Sequence, residues 1–188
     1  LLVQSGQGRK LAQGITVALV GKPNVGKSSI LNILAGEDAA IVTDVPGTTR
    51  GLLKVDISVD GMPLQLVDTA GLRETQDTVE MIGVQRAREQ MQRADHVILV
   101  VTAADVVANE AGFLANEDFE ALLQRLALEA VPELGEVSAV NIHLLVNKID
   151  LIDSELRGSQ QWPATYVSAK TGEGLAALTK KLVQLGSG

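Results

Sequence analysis

The residues best suited to phosphate chemistry lie between Gly21 and Ser28, where the spacing is G-x-x-x-x-G-K-S. A loop of this pattern presents backbone N–H groups to phosphates, its lysine supplies a positive charge, and its serine can ligate Mg²⁺. A glycine turn with a surface lysine and a helix-start hydroxyl is the alternative. Lys27 is assigned a catalytic role at the β- and γ-phosphates, and the residues predicted to bind nucleotide here are Asn24, Val25, Gly26, Lys27, Ser28 and Ser29.

The elements around this loop fit its chemistry. The apolar run from Ile15 to Val20 predicts a strand, and the pattern from Lys27 to Ala35 predicts a helix. A strand that ends in glycine and restarts as a helix leaves unpaired N–H groups at the helix N-terminus, where the macrodipole also attracts anions. We therefore expect a nucleotide phosphate site at this junction.

A second candidate group follows a strand predicted from Leu64 to Val67. A carboxylate at the C-terminal end of a strand lies where open α/β sheets bind ligands. Asp68 is predicted to act on Mg²⁺ directly or through water, and the Gly71 amide to donate to a γ-phosphate. An ordinary turn is the alternative, but a position after a phosphate loop favours nucleotide binding by the whole group, Asp68, Thr69, Ala70 and Gly71.

A third group indicates which base is bound. The motif Asn147-Lys148-Ile149-Asp150 follows a strand predicted from Asn141 to Val146. The Asp150 carboxylate can accept from the ring N–H and the exocyclic amine of guanine, whereas the equivalent ring nitrogen of adenine carries no hydrogen. An unpaired buried acceptor costs roughly 1–3 kcal/mol, so the motif predicts guanine over adenine. A polar loop is the alternative for this motif taken alone.

Two further loops complete the predicted site. After a strand predicted from Thr165 to Val167, a backbone N–H of Ser168-Ala169-Lys170 is expected to contact the guanine carbonyl, with a polar loop and helix cap as the alternative. The glycine-containing connector from Thr43 to Gly51 is expected to close on a γ-phosphate as a switch, with Thr49 completing the Mg²⁺ shell. Its predicted nucleotide-binding residues are Thr43, Asp44, Val45, Pro46, Gly47, Thr48 and Thr49.

Composition limits the class of protein. A net charge of −7 argues against non-specific nucleic-acid binding, and the absence of cysteine excludes disulfides and thiolate metal sites. No apolar stretch is long enough to span a bilayer, so a cytoplasmic domain is expected. Residues 1–14 are interpreted as a lead-in helix or connector, and residues 15–188 as one domain excised from a larger protein.

Strands alternate with helices, which predicts an α/β fold with helices on both faces of a mainly parallel six-stranded sheet. The turn at Asp60-Gly61 makes one strand antiparallel. The other predicted strands run from Leu52 to Val59 and from Val97 to Val101; the other predicted helices run from Thr78 to Arg93, from Glu117 to Ala130 and from Leu175 to Leu185.

In order, GKPNVGKSS, TDVPGTTR, DTAGLRE, NKID and SAK resemble the translation-factor-related bacterial GTPases, most closely the G domain of the MnmE (TrmE) tRNA-modification GTPases. The resemblance runs from about Leu1 to Leu185. It implies a Ras-like P-loop NTPase fold and GTP hydrolysis to GDP and phosphate, stimulated by potassium and by G-domain dimerisation. It also implies tRNA wobble-uridine modification in the full-length protein, with a second modification subunit and tRNA as partners through other domains.

The resemblance also implies ion ligands: Ser28 and Thr49 for Mg²⁺, and Asn24, Thr43, Val45 and Thr48 for K⁺. The catalytic residues are then Lys27, Thr49 and Glu80. Leu72 stands where Ras-like enzymes carry a water-orienting glutamine, and Glu80 is implied to act on the attacking water through a bridging water. The spacing of Asp77 and Glu80 is also typical of a helix cap, which is the alternative.

One residue departs from the family pattern. Gly51 replaces the aspartate usual after G-T-T-R, which predicts at most a weaker ordering of the switch. Two other functions stay open from the sequence: a ribosome-assembly GTPase of the Era or Der type, and a GTP-gated interaction module with negligible turnover.

Overall fold

The computed structural model describes residues 14–22, 24–36, 40–43, 53–68, 89, 92–106, 118–130, 141–153 and 163–187. The strands in these ranges are β1 (Ile15–Val20), β2 (Ala40–Thr43), β3 (Leu53–Val59), β4 (Met62–Asp68), β5 (His96–Thr102), β6 (Ile142–Asn147) and β7 (Thr165–Tyr166). They form one sheet in the order β2-β3-β4-β1-β5-β6-β7.

A single strand of this sheet runs against the others. β4, β1, β5, β6 and β7 pair in parallel, and β3 is antiparallel to both of its neighbours, β2 and β4. The β3–β4 hairpin turns at Asp60 and Gly61, whose φ angles of 50° and 80° suit a two-residue turn. The mainly parallel sheet with one antiparallel strand is confirmed.

The sheet contains a seventh strand, β2, in addition to the six predicted. β2 pairs with β3 from Ala40, opposite Asp56, to Thr43, opposite Leu53. With only four residues, it has too little local pattern to be recognised in a sequence. The connector predicted to begin at Thr43 therefore begins at the last residue of a strand.

The helices whose bounds are fully described are α1 (Lys27–Ala35), α2 (Phe119–Ala130) and α3 (Leu175–Ser187), and residues 103–106 after β5 are also helical. The bounds of α1, α2 and α3 agree with prediction within two residues. A 3₁₀ turn, Ile149–Leu151, follows β6. The helix predicted from Thr78 to Arg93 lies mostly outside the described residues, as does the predicted lead-in apart from Gly14.

The core has two layers because both faces of the sheet are covered. On one face α2 buries Leu122 and Leu126 against Leu99 and other strand residues. On the other face α1 and α3 bury Ile30 and Leu182 against alternate strand positions. Burial on both faces explains why the central strands are continuous apolar runs. No helix within the described ranges has the length and apolar character needed to cross a membrane.

The two-layer core predicts where truncation of a leucine is costly. Leu99, 0% exposed on β5, should lose about 2–5 kcal/mol of unfolding free energy in Leu99→Ala, because a cavity opens between β5 and α2. Leu151, 72% exposed, is the matched control, and Leu151→Ala should stay within about 0.5 kcal/mol of the unmodified chain. Denaturant unfolding measures both variants, and equal losses would contradict this two-layer core.

Candidate functional site

The predicted chemistry-bearing motifs meet at one edge of the sheet. β1, β4, β5 and β6 are parallel, so their C-terminal ends lie together. Asp68, the last residue of β4, is in register with Leu19 near the end of β1, and Asn147, the last residue of β6, is in register with Thr102 of β5. The phosphate loop after β1 therefore lies at the same edge as Asp68 and Asn147.

The phosphate loop wraps around its own lysine. Lys27 is only 7% exposed, and its Nζ donates a hydrogen bond of 2.8 Å to the carbonyl oxygen of Gly21. The amine thus lies across the loop, where a phosphate held by the backbone N–H groups would meet its charge. The role of Lys27 at the β- and γ-phosphates stays a prediction.

Packing explains both glycines of the phosphate-loop pattern. A Cβ at Gly21 would lie 2.6 Å from the carbonyl oxygen of Val100 on β5. Gly26 has a φ of 99°, and a Cβ there would overlap the side-chain amide of Asn147. The loop therefore takes its shape from contact with β5 and β6 as well as from its own turn.

The buried amide of Asn147 joins two of the predicted motifs. Asn147 is 2% exposed; its Nδ2 donates to the carbonyl oxygen of Val25 at 2.9 Å, and its Oδ1 accepts from the Ala169 N–H at 3.1 Å. The sequence placed Asn147 at the rim beside the base. In the structure its amide connects the phosphate loop to the Ser168–Lys170 loop. One hydrogen of Nδ2 and one lone pair of Oδ1 remain for a ligand.

Two backbone N–H groups of the loop after β7 already have partners within the protein. The loop after β7 was expected to offer a backbone N–H to the base, but the Ala169 N–H donates to Asn147 Oδ1. Of the three N–H groups in that loop, the Ser168 N–H donates to the Glu173 carbonyl at 2.9 Å. Lys170 is exposed at the tip of the loop, and its contact with the base stays a prediction.

Lys148 adds a second connection between the base motif and the phosphate loop. Its Nζ donates to the carbonyl oxygen of Asn24 at 2.6 Å. Lys148 and Asn24 have left-handed φ angles of 62° and 66°, which turn the two short loops toward each other. Sequence reasoning assigned Lys148 to the nucleotide site without identifying this contact.

Ser168 orients the carboxylate predicted to recognise guanine. The Ser168 side chain is 0% exposed, and its Oγ donates to Asp150 Oδ1 at 2.7 Å. The same Oγ accepts from the Thr171 N–H at 3.1 Å, so its hydrogen is directed to the carboxylate. Asp150 is half-buried in the 3₁₀ turn after β6, and its orientation is set before any ligand arrives.

Ser28 and Ser29 follow Lys27 in the first turn of α1 and are also predicted site residues. Both are exposed, so their hydroxyls are accessible beside the phosphate loop. A hydroxyl oxygen at a phosphate site is a suitable hard ligand for Mg²⁺. No group of three or more His, Cys, Asp or Glu side chains in the described part of the chain could hold a metal by itself.

The remaining site predictions concern residues that the structure does not describe. Thr43 and Asp68 are placed by their backbones at the ends of β2 and β4. Gly51 and Leu72 are outside the described residues, as are these predicted site residues: Asp44, Val45, Pro46, Gly47, Thr48, Thr49, Thr69, Ala70, Gly71 and Glu80. Their roles stay predictions.

Comparison with known proteins agrees with this geometry. Residues 16–152 match the family described as 50S ribosome-binding GTPase. Curated relatives named tRNA modification GTPase MnmE include one from Stutzerimonas stutzeri, 45% identical over 97% of this chain, and one from Streptococcus pyogenes, 38% identical over 89%. The chain covers 38% and 40% of these relatives, so it spans about four tenths of their length. The predicted resemblance to MnmE G domains is confirmed.

Solved structures confirm the predicted fold class. The G domain of the T. maritima FeoB iron transporter is 29% identical, with a TM-score of 0.56, over 91% of this chain and 98% of that one. Aquifex aeolicus Era bound to GDP and AlF₄⁻ is 24% identical, with a TM-score of 0.55, over 91% of this chain and 56% of that one, and shows the fold alone.

Removal of the Asn147 side chain should leave two buried backbone groups without a hydrogen-bond partner. Asn147→Ala should lower the unfolding free energy by about 2 kcal/mol or more, because the buried Val25 carbonyl and Ala169 N–H both lose their partner. Asn32→Ala, on the exposed side of α1, is the control and should change stability by less than about 0.5 kcal/mol. Urea unfolding measures both, and an Asn147→Ala chain as stable as the control would contradict the assignment.

Proposed function

Because the chain belongs to the 50S ribosome-binding GTPase family, we propose that it binds GTP and hydrolyses it to GDP and phosphate. The observation that carries this proposal is the connection through Asn147, whose amide holds the phosphate loop at Val25 and the base loop at Ala169. A single ligand with a triphosphate at one end and a base at the other fits such a connected pair of loops.

Guanine selection follows from the orientation of Asp150. The Ser168 hydroxyl uses one lone pair of Oδ1, which leaves acceptor positions on both carboxylate oxygens. Guanine presents two adjacent donors, its ring N–H and its exocyclic amine, to these positions. Adenine presents an acceptor in place of the ring N–H, and the unpaired carboxylate oxygen makes its binding unfavourable.

The phosphate end of the site uses the backbone and Lys27. The buried amine of Lys27 and the N–H groups at the start of α1 concentrate positive charge where the transferred phosphoryl group develops negative charge. Ser28, exposed at the start of α1, would ligate Mg²⁺ together with Thr49 and Asp68. When bound, Mg²⁺ neutralises charge on the β- and γ-phosphates.

We further propose that potassium and dimerisation of the domain stimulate hydrolysis. Asn24, Thr43, Val45 and Thr48 would hold K⁺, and K⁺ together with dimerisation across the nucleotide face would supply the positive charge that an arginine finger supplies elsewhere. Asn24 is exposed in the phosphate loop, and the bond from Lys148 to its backbone carbonyl supports a fixed backbone at this position. Glu80 orients the attacking water.

In the full-length protein the domain acts as a switch for tRNA wobble-uridine modification in the cytoplasm, with tRNA and a second modification subunit bound through other domains. The support is that the relatives are tRNA modification GTPases and that this chain spans about four tenths of their length. The description of the matching family favours one alternative, a ribosome-assembly GTPase. The domain content of the full-length protein distinguishes the two, since a second G domain or a KH-type RNA module indicates ribosome assembly.

Base selection by Asp150 predicts a change of preferred base. Asp150→Asn places an amide donor against the exocyclic amine of guanine, and GDP affinity should fall by about 100-fold or more. Xanthosine diphosphate has a carbonyl at that position, so its affinity should rise in the same variant. Calorimetric titration measures both ligands. Asp153→Asn, which neutralises an exposed carboxylate three residues further on, is the matched control and should leave both affinities unchanged. Unchanged GDP binding by Asp150→Asn would contradict the assignment.

The potassium assignment predicts the salt dependence of catalysis. Single-turnover GTP hydrolysis should be about tenfold or more faster in KCl than in NaCl, because K⁺ stabilises charge on the reacting phosphates. Asn24→Ala should abolish this difference, whereas the control Asn32→Ala should retain it. Equal, measurable rates in both salts would overturn the potassium site. Equal rates near zero would overturn hydrolysis itself and leave a GTP-gated interaction module.

A further inference from the structure

A cavity lies at the edge of the sheet opposite the candidate nucleotide site. Its volume is about 290 Å³, and its lining includes His143, the second residue of β6. Asn147 is the last residue of the same strand, so about 13 Å of extended chain separates the cavity from the nucleotide edge. The cavity therefore belongs to a different part of the molecule.

The walls of the cavity combine positive or donating groups with apolar surface. Lys181 of α3 supplies an ammonium group, Thr165 of β7 a hydroxyl, and His143 an imidazole. Phe119 and Leu123 of α2 form part of the apolar wall. No carboxylate lines this cavity, so its described lining offers an anion no like charge.

Two histidines face each other beside this cavity. His96 Nδ1 of β5 and His143 Nε2 lie 3.2 Å apart, and their ring centroids are separated by 5.2 Å. Burial, followed by the nearby positive charges of Lys181 and His96, lowers the pKa of His143 to about 4. His143 is therefore neutral at pH 7, and the positive charge facing the cavity at that pH is Lys181.

We propose that this cavity binds a small organic anion, in which a carboxylate or phosphate head is carried on a flat apolar body. The head pairs with the Lys181 ammonium and accepts from the Thr165 hydroxyl. The body packs against Phe119 and Leu123, in a volume suited to a single ring with its head group. The required chemistry is one acidic group and one apolar ring, and the two possible heads are distinguished by experiment.

The titratable groups determine how binding depends on pH. Lys181 from α3 and His143 from β6 face the cavity, His96 from β5 lies against His143, and the lining residues of α2 and β7 carry no charge. A bound anion favours protonated His143 and raises its pKa from about 4. Affinity should therefore strengthen as pH falls toward 4, by up to about tenfold per pH unit in the window between the free and bound pKa values.

The test uses benzoate and phenyl phosphate as probes and benzyl alcohol as the uncharged control. Each is titrated into the chain in excess GDP, so that an anion cannot enter the phosphate loop, while NMR follows the His143 ring. The expected result is saturable binding of benzoate, phenyl phosphate or both with a Kd of about 1 mM or tighter, and none of benzyl alcohol. Whichever anion binds identifies the head group.

Adjacent lysines provide the matched variants. Lys181→Met should weaken binding by about tenfold or more, whereas Lys180→Met, which removes the same charge from an exposed neighbour, should leave it unchanged. Lys181→Arg should retain binding, which keeps the test valid if the methionine variant unfolds. Absence of saturable binding by either anion, or equal loss in the Lys180 and Lys181 variants, would overturn the proposal.

Discussion

The hydrogen bonds of one buried amide hold the candidate nucleotide site together. β1 and β6 are not neighbours, since β5 lies between them, and the strand spacing puts their ends about 10 Å apart. Asn147 closes this distance by bonding to Val25 in the phosphate loop, and its other end bonds to Ala169. The amide is shielded from water, so breaking either bond would leave a buried polar group unpaired at a cost in free energy. The phosphate loop, the Asn147–Asp150 loop and the Ser168–Lys170 loop are therefore held together as one unit.

The sheet makes this connection possible by setting the strand ends at fixed heights. Asp95, just before β5, accepts from the Thr16 N–H at 3.0 Å, and its own N–H donates to the Thr16 carbonyl at 2.9 Å. This pair joins β1 and β5 at their N-terminal ends and so fixes the register of the two strands whose C-terminal ends flank the phosphate loop. The position of the Asn147 side chain also requires glycine at position 26, because its amide occupies the space that a Cβ would need.

Local pattern predicted much of this fold, and contacts between distant residues account for what it did not predict. Apolar runs and helical periodicity located β1 and α1 at their observed bounds, since both depend on neighbouring residues alone. The motifs likewise predicted that the phosphate loop, Asp68 and Asn147 lie at one edge of the sheet, as the strand register shows. The bond between Lys148 and Asn24 joins residues 124 positions apart, and no local pattern contains it. The pairing of His96 with His143, 47 positions apart, was missed for the same reason.

The central claim is that these loops form one site selective for guanine. The most direct measurement is the ratio of GDP to ADP affinity, determined by calorimetric titration of the unmodified chain with Mg²⁺ present. The two ligands share their phosphates and ribose, so the ratio isolates the contribution of the base. A preference for GDP of about 10⁴-fold or more is predicted, because adenine leaves an acceptor of Asp150 unpaired. Similar affinities for GDP and ADP would contradict the account.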